Sequence, residues 1–272
     1  MQNVSLSASS ARSFAALHRK KAARERIVAL TAYDWQTAAW LADCGVDFLL
    51  VGDSVANVIA GCETTLGMTM DAMIYHTRMV VRGAGSVPVV GDMPYLSYEV
   101  SSEQALLNAG RFVKEAGAAG VKLEGGAEMA PTIERLVRAH IPVLAHIGLT
   151  PQAVLSLGGF KQQGLDADSA ERIRAHARAV QDAGAWAVVL ECIPRTLAAE
   201  ITAALTIPTI GIGAGPDCDG QILVTHDLLG WDERPKRFVK PYAQFRSQAQ
   251  TAVRSFADDV RAGRFPDETH SF

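Results

Sequence analysis

No run of 18 apolar residues occurs in the 272-residue chain, so no segment reads as a membrane-spanning helix. Neither sign of charge dominates. The 26 Lys and Arg against 29 Asp and Glu leave a net of −3, which points to neither nucleic acid nor an anionic membrane. Cysteine is scarce: Cys44, Cys62, Cys192 and Cys218 show no CxxC spacing and read as reduced thiols in a cytoplasmic protein. No His/Cys cluster offers a zinc site. The stretch GIGAGPDCDGQILV (211–224) is glycine-rich, but its glycines at 211, 213, 215 and 220, with Pro216 between them, do not form GxGxxG. That argues against a dinucleotide site and favours a backbone-lined loop over a ligand. Aromatics are only 7%. The 49% apolar content is mostly Ala, Val, Leu and Ile, which suits helices packed on a parallel sheet.

What is present is an alternation. Strand-length apolar runs lie at 27–30, 48–51, 87–90, 121–123, 142–145, 187–190, 209–212 and 221–224. Most are continuous rather than alternating, as expected of strands buried on both faces. Helical patterns fall between them. Ser101-Ser-Glu-Gln104 reads as a capping box, with Leu106, Ala109, Phe112, Val113 and Ala116 behind it at helical spacing; in Ala170–Ala183, Ile173, Ala177 and Val180 share a face. Eight strands with no domain break predict a single (β/α)8 TIM barrel over 1–272, its active site at the C-terminal ends of the strands. Residues 1–24 hold Arg12, Arg19, Lys20, Lys21 and Arg24 and no acidic residue, a composition shared with organellar targeting segments. The preferred reading is a flexible tail over 1–12 and an N-terminal helix, Ser13–Ala23, covering the barrel bottom. That helix abuts the first strand without a linker.

Four carboxylates each follow an apolar run: Asp53 after FLLVG, Asp92 after VPVVG, Glu124 after GVKL and Glu191 after AVVL. An acidic residue is poor filler for a buried strand, and four in matching positions suggest a ring of carboxylates at one mouth of the barrel. Oxygen ligands with room for water suit Mg²⁺, which takes one or two protein carboxylates directly, so Asp53 and Asp92 come first. Asp53-Ser54 could instead cap a helix. Lys122 and Glu124, two apart on a strand, point to one side as a structural ion pair, or as a substrate-binding cation beside an acid of the metal shell. His146, at a strand end, is a candidate substrate contact, and His76, on an amphipathic helix, is structural. Glu191 among apolar neighbours suits a general base, because desolvation favours the protonated form; the alternative is a salt bridge to Arg195.

Together LTAYD (30–34), VGDS (51–54), TMDAMIYHTRMVVRGA (69–84), GDMPYLSY (91–98), VKLEGG (121–126), PVLAHIGLTPQ (142–152), LGGFKQQG (157–164), LECIP (190–194) and GIGAGPDCDGQILVTHDLLG (211–230) resemble the ketopantoate hydroxymethyltransferase family. The departure is Val55-Ala56-Asn57, where many members have Leu-Gly-Met. The resemblance implies a (β/α)8 barrel, usually a decamer, that binds Mg²⁺ and transfers a hydroxymethyl unit from 5,10-methylenetetrahydrofolate to 3-methyl-2-oxobutanoate. It further implies that Asp53 and Asp92 hold the metal, with Glu124 completing its shell directly or through water. Ser54, Asp92 and Lys122 would contact the keto acid, and Glu191 would accept the proton. The alternatives are another Mg²⁺-dependent enolate enzyme of the isocitrate lyase or phosphoenolpyruvate mutase kind, although no KKCGH-like loop is present, and a non-catalytic barrel.

Overall fold

The computed structural model describes residues 13–232 and 235–272; the expected tail, 1–12, lies outside them. The apolar runs form β1 (Ile27–Thr31), β2 (Phe48–Val51), β3 (Val89–Asp92), β4 (Gly120–Glu124), β5 (Val143–Gly148), β6 (Ala187–Glu191), β7 (Thr209–Ile212) and β8 (Gly220–Leu223). All are parallel, pair in sequential order and close β8 onto β1, so the fold is the (β/α)8 barrel the alternation predicts. The strands β3, β4 and β6 end on Asp92, Glu124 and Glu191 themselves, whereas Asp53 lies just beyond β2. No helix among the described residues is long and apolar enough to cross a membrane.

The barrel interior is built in layers. Ile27 and Ala29, Phe48 and Leu50, Val90, Leu144, Ala187 and Val189, Ile210 and Ile222 form one buried cluster drawn from seven strands. Side chains two residues apart on a strand share a face. Asp92 therefore stands one step above Val90, His146 above Leu144 and Glu191 above Val189. On β4 the inward series runs Gly120, Lys122, Glu124. The apolar core thus carries a charged layer at its C-terminal end.

The opposite mouth is sealed as predicted by the N-terminal helix, Ala15–Ala23. Phe14 stacks on Trp186 with ring centroids 4.1 Å apart, Phe48 meets the same indole edge-on at 5.6 Å, and Leu17 joins the cluster. Lys21 ties the helix down through an ion pair of 2.7 Å to Asp219.

Outside the barrel, Ser101 caps the helix Ser102–Lys114 by accepting the Gln104 N–H at 3.1 Å. The buried stripe is Ala105, Ala109, Phe112 and Ala116, while Val113, expected on it, is 37% exposed. Gly91 admits this helix, since a Cβ there would overlap the Phe112 ring. The helix Ala167–Asp182 buries Ile173, Ala177 and Val180 as predicted. The β7–β8 connection, Gly213–Asp219, has no helix, although parallel strands ordinarily need a longer crossover. The glycine-rich stretch expected to close over a ligand makes this return. Asp219 Oδ2 secures it by accepting the Thr209 N–H at 2.8 Å, and Arg195 pairs with Asp217 at 2.9 Å.

The chain divides into two compact units, one running to Leu223 and the other Val224–Phe272. The second comprises a short helix, Thr225–Leu229, ended by a left-handed Gly230, and a long helix, Phe245–Arg261. Within it Trp231 and Phe245 pack with ring centroids 5.1 Å apart.

Candidate active site

Strand register decides which charged groups of the top layer meet. Asp92 is level with Lys122, and Glu124 with His146. Lys122 Nζ donates to Asp92 Oδ1 at 2.8 Å and Oδ2 at 2.9 Å, and reaches Glu124 Oε1 at 3.3 Å. The Asp53 N–H donates to Asp92 Oδ2 at 3.1 Å. His146 lies between two acids, with Nδ1 3.4 Å from Glu124 Oε1 and Nε2 3.3 Å from Glu191 Oε2. The result is a continuous chain from β2 to β6: Asp53, Asp92, Lys122, Glu124, His146, Glu191. Five of the six are buried, and the Glu191 side chain, 16% exposed, is the one that opens outward.

Burial pushes the Asp53 carboxyl upward and the Glu124 charge adds to it, while Lys122 and the Gln152 amide oppose it. Burial likewise pushes Asp92 up to about 7, with Asp53 and Glu124 adding and Lys122 opposing. For Lys122, burial favours the neutral amine, but Asp92, Glu124 and Asp53 outweigh it and hold the ammonium firmly charged. Burial would raise Glu124, yet Lys122, His146 and the Gln152 N–H hold it at about 2. Burial and Lys122 would lower His146, but Glu124 and Glu191 raise it to about 9. One lysine and one histidine thus face four acids, and the upward push on Asp53 and Asp92 marks the place where a further positive charge would be stabilising.

This donor set fits a hard divalent cation. Among the described residues no three Asp, Glu, His or Cys side chains converge into a cage for an ion. Asp53 and Asp92 are instead an adjacent pair of oxygen donors, the minimal protein share of a Mg²⁺ shell that water and substrate complete. Both His146 nitrogens are buried and face acids, Nδ1 towards Glu124 and Nε2 towards Glu191, at ion-pair distance but without aligned hydrogen bonds.

The alternatives left open by the sequence divide cleanly. Asp53 does not cap the following helix, Val55–Val58: Ser54 holds the cap position, and no side chain bonds there. The Ser54 hydroxyl pairs with the Tyr33 hydroxyl at 2.8 Å. Lys122 joins both Asp92 and Glu124 rather than forming a single pair. Arg195 pairs with Asp217, so Glu191 meets His146 instead of the arginine or the apolar setting its sequence neighbours suggested. His76 donates to the Tyr33 carbonyl at 2.7 Å, a structural bond.

Two residues of the site went unread in the sequence. Gln152 and Tyr98 are almost wholly buried and bonded to each other; Gln152 also bonds the Asp53 and Glu124 carboxylates, and the Tyr98 hydroxyl accepts the Glu124 backbone N–H. Their only sequence signal was membership of the motifs GLTPQ and MPYLSY, since a buried amide carries no pattern of its own.

Residues 12–268 match the model of the family described as ketopantoate hydroxymethyltransferase. The chain is 52% identical over 257 residues to the 3-methyl-2-oxobutanoate hydroxymethyltransferase of Geotalea daltonii, which spans 94% of this chain and 96% of that one. The enzyme of that name from Geobacter metallireducens is 51% identical, with the same coverage. Among solved structures, a putative phosphonomutase from Burkholderia cenocepacia superimposes with a TM-score of 0.63 at 19% identity, covering 91% of this chain and 98% of that one, a likeness of fold.

Proposed function

Since the chain belongs to the ketopantoate hydroxymethyltransferase family, we propose that it transfers a hydroxymethyl group from 5,10-methylenetetrahydrofolate to 3-methyl-2-oxobutanoate, giving 2-dehydropantoate on the route to pantothenate. The supporting observation is the chain of charge from Asp53 to Glu191, which sets oxygen ligands, cations and an accessible carboxylate side by side in one layer.

In this reading Asp53 and Asp92 hold Mg²⁺, and Glu124 stands behind them, as a ligand directly or through water. When bound, the cation supplies Lewis-acid polarisation of the keto carbonyl. Lys122, already charged, faces the substrate carboxylate and offsets the acids around it. Ser54 and His146 contact the keto acid, the imidazole standing between Glu124 and Glu191. Glu191 is the proton acceptor: it takes the C3 proton, and C3 forms a bond to the methylene carbon as both C–N bonds joining that carbon to the folate break. One water supplies the new hydroxyl oxygen and gives its two hydrogens to the two folate nitrogens, leaving tetrahydrofolate, and the proton on Glu191 passes to the hydroxyl oxygen. The imidazolium of His146, 3.3 Å from Glu191 Oε2, orients the carboxylate while the substrate is in place. By the same family resemblance the proposal extends to a homodecamer in the cytoplasm, checked by light scattering of the purified protein.

The test is to incubate the protein with Mg²⁺ and 3-methyl-2-oxobutanoate in D₂O, and then add 5,10-methylenetetrahydrofolate. Metal-dependent exchange of the C3 proton followed by 2-dehydropantoate is expected. Exchange without transfer would assign a different enolate reaction, and no exchange would remove catalysis from the site.

A further inference from the structure

Gln152 belongs to a residue type seldom buried, yet it is only 5% exposed and every polar group of its side chain is engaged. Its Nε2 donates to Asp53 Oδ2 and to the Met93 carbonyl, each at 3.0 Å. Its Oε1 accepts the Tyr98 hydroxyl at 2.7 Å. Its backbone N–H donates to Glu124 Oε2 at 3.0 Å. Tyr98 closes the circuit by accepting the Glu124 N–H at 3.2 Å. Pro151 opens the short turn Pro151–Ala153, leaving the Gln152 N–H outside the turn's own bonding and free for Glu124.

The orientation of this amide is fixed by its partners. The Tyr98 oxygen already accepts from Glu124, so its proton goes to Gln152 Oε1. The NH₂ then faces a carboxylate and a carbonyl, neither of which can donate. A flipped amide would set oxygen against two acceptors and NH₂ against a donor. One residue from the loop after β5 therefore holds two acids at a fixed separation and occupies one oxygen of each: Asp53, just past β2, through its side-chain amide, and Glu124, on β4, through its backbone N–H.

We propose that Gln152, oriented by Tyr98, is a positioning residue for the divalent cation: it presents Asp53 and Glu124 to the ion with their remaining lone pairs aimed inward. This rests on the metal-site reading given under the proposed function. Partners that orient metal ligands typically carry about 10–100-fold of metal affinity, and the Gln152 side chain bonds Asp53 directly, while its backbone N–H, kept in any substitution but proline, bonds Glu124.

The experiment is Mn²⁺ binding to the full-length protein, followed by electron paramagnetic resonance, for wild type, Gln152→Met, Tyr98→Phe and Asp53→Asn. It is paired with thermal unfolding in EDTA and in Mn²⁺. Gln152→Met should weaken Mn²⁺ binding about 10–100-fold, and Tyr98→Phe should weaken it less, in the same direction. In both variants the rise in melting temperature on adding Mn²⁺ should shrink by more than the metal-free melting temperature falls. A merely structural role would move the metal-free value and leave the rise intact. Wild-type-like Mn²⁺ affinity in Tyr98→Phe and in any folded Gln152→Met, with binding lost in Asp53→Asn, would overturn the clamp while keeping the metal site. Absence of Mn²⁺ binding in wild type would overturn both.

Discussion

The two mouths of the barrel are closed by the same strands in opposite ways. At the N-terminal end Phe14, Trp186 and Phe48 pack ring against ring with Leu17 beneath the helix. At the C-terminal end four acids, a lysine and a histidine, all buried but Glu191, occupy the corresponding layer, linked by ion pairs and hydrogen bonds. A few residues separate the two chemistries along each strand. Burial as such does not tell stability from function here; what matters is whether the buried group has a reason to be apolar. Substitutions at the two ends should therefore separate turnover from stability.

The largest split is expected from the pair Glu191→Gln and Trp186→Ala. Removing a general base should cut turnover about 10²–10⁴-fold while the unfolding midpoint stays close to wild type, because the amide is isosteric and the group is partly open. Removing the indole should cost about 3–5 kcal/mol of stability while turnover per folded molecule is retained. Steady-state rates and urea unfolding on the same preparations check both. A Trp186→Ala protein with intact stability, or a Glu191→Gln protein with intact turnover, would break the division.

A second contrast is in pH. His146 sits at about 9, above its ordinary 6.5, so the folded barrel keeps a proton that the unfolded chain gives up. The stability this contributes is fully present below pH 6.5 and is lost as the pH rises through about 9. Asp92 works in the same direction at lower pH. Raised by burial to about 7, it keeps its proton in the folded state after the unfolded chain has released its own near 3.8, so stability falls between those values. Unfolding free energies of the metal-free protein, from urea titrations, should decline from pH 6 to 9.5 by an amount on the order of 2–3 kcal/mol, and His146→Gln should flatten that decline. The ring cluster of Phe14, Phe48 and Trp186 has no titratable group, so Trp186→Ala should lower the curve with little change in its slope over that range.

How much of this was legible in the sequence follows the same division. The strands were readable because continuous apolar runs between helical patterns have few other uses, and the acids were readable because they interrupt that pattern. The N-terminal helix was readable from its abutment on β1. What escaped was three-dimensional. Val113 carries an apolar side chain but faces outward, since helix rotation is set by which small residues meet the strands; Ala105 and Ala109 won the contact. The Asp53–Gln152 bond joins residues far apart in the chain, and no local spacing encodes it. The pairing of Glu191 with His146 needed the barrel's register, which offsets β6 against β5 so that Glu191 lies level with Gly148.

The smallest expected effect compares one backbone feature at both ends. Arg24 ends the N-terminal helix at φ 58°, and Cys192 follows Glu191 at φ 48°, both in the left-handed region that costs a side-chain-bearing residue about 1–2 kcal/mol. At Arg24 the conformation serves only the helix end. Arg24→Gly should therefore raise stability by up to about 1 kcal/mol with turnover unchanged. Cys192 is held on both sides: its N–H donates to the Ile212 carbonyl at 2.9 Å, and its carbonyl accepts the Gln163 N–H at 3.0 Å. That bend sets the direction in which β6 delivers the Glu191 carboxylate. Cys192→Gly should relieve the same strain yet widen the backbone freedom beside the base. It should thus lower turnover, by less than the ~10²-fold of a 1 Å misplacement, and leave the unfolding midpoint within about 1 kcal/mol of wild type. If the two glycine variants behave alike in both assays, the bend after Glu191 is a fold feature with no part in aiming the base.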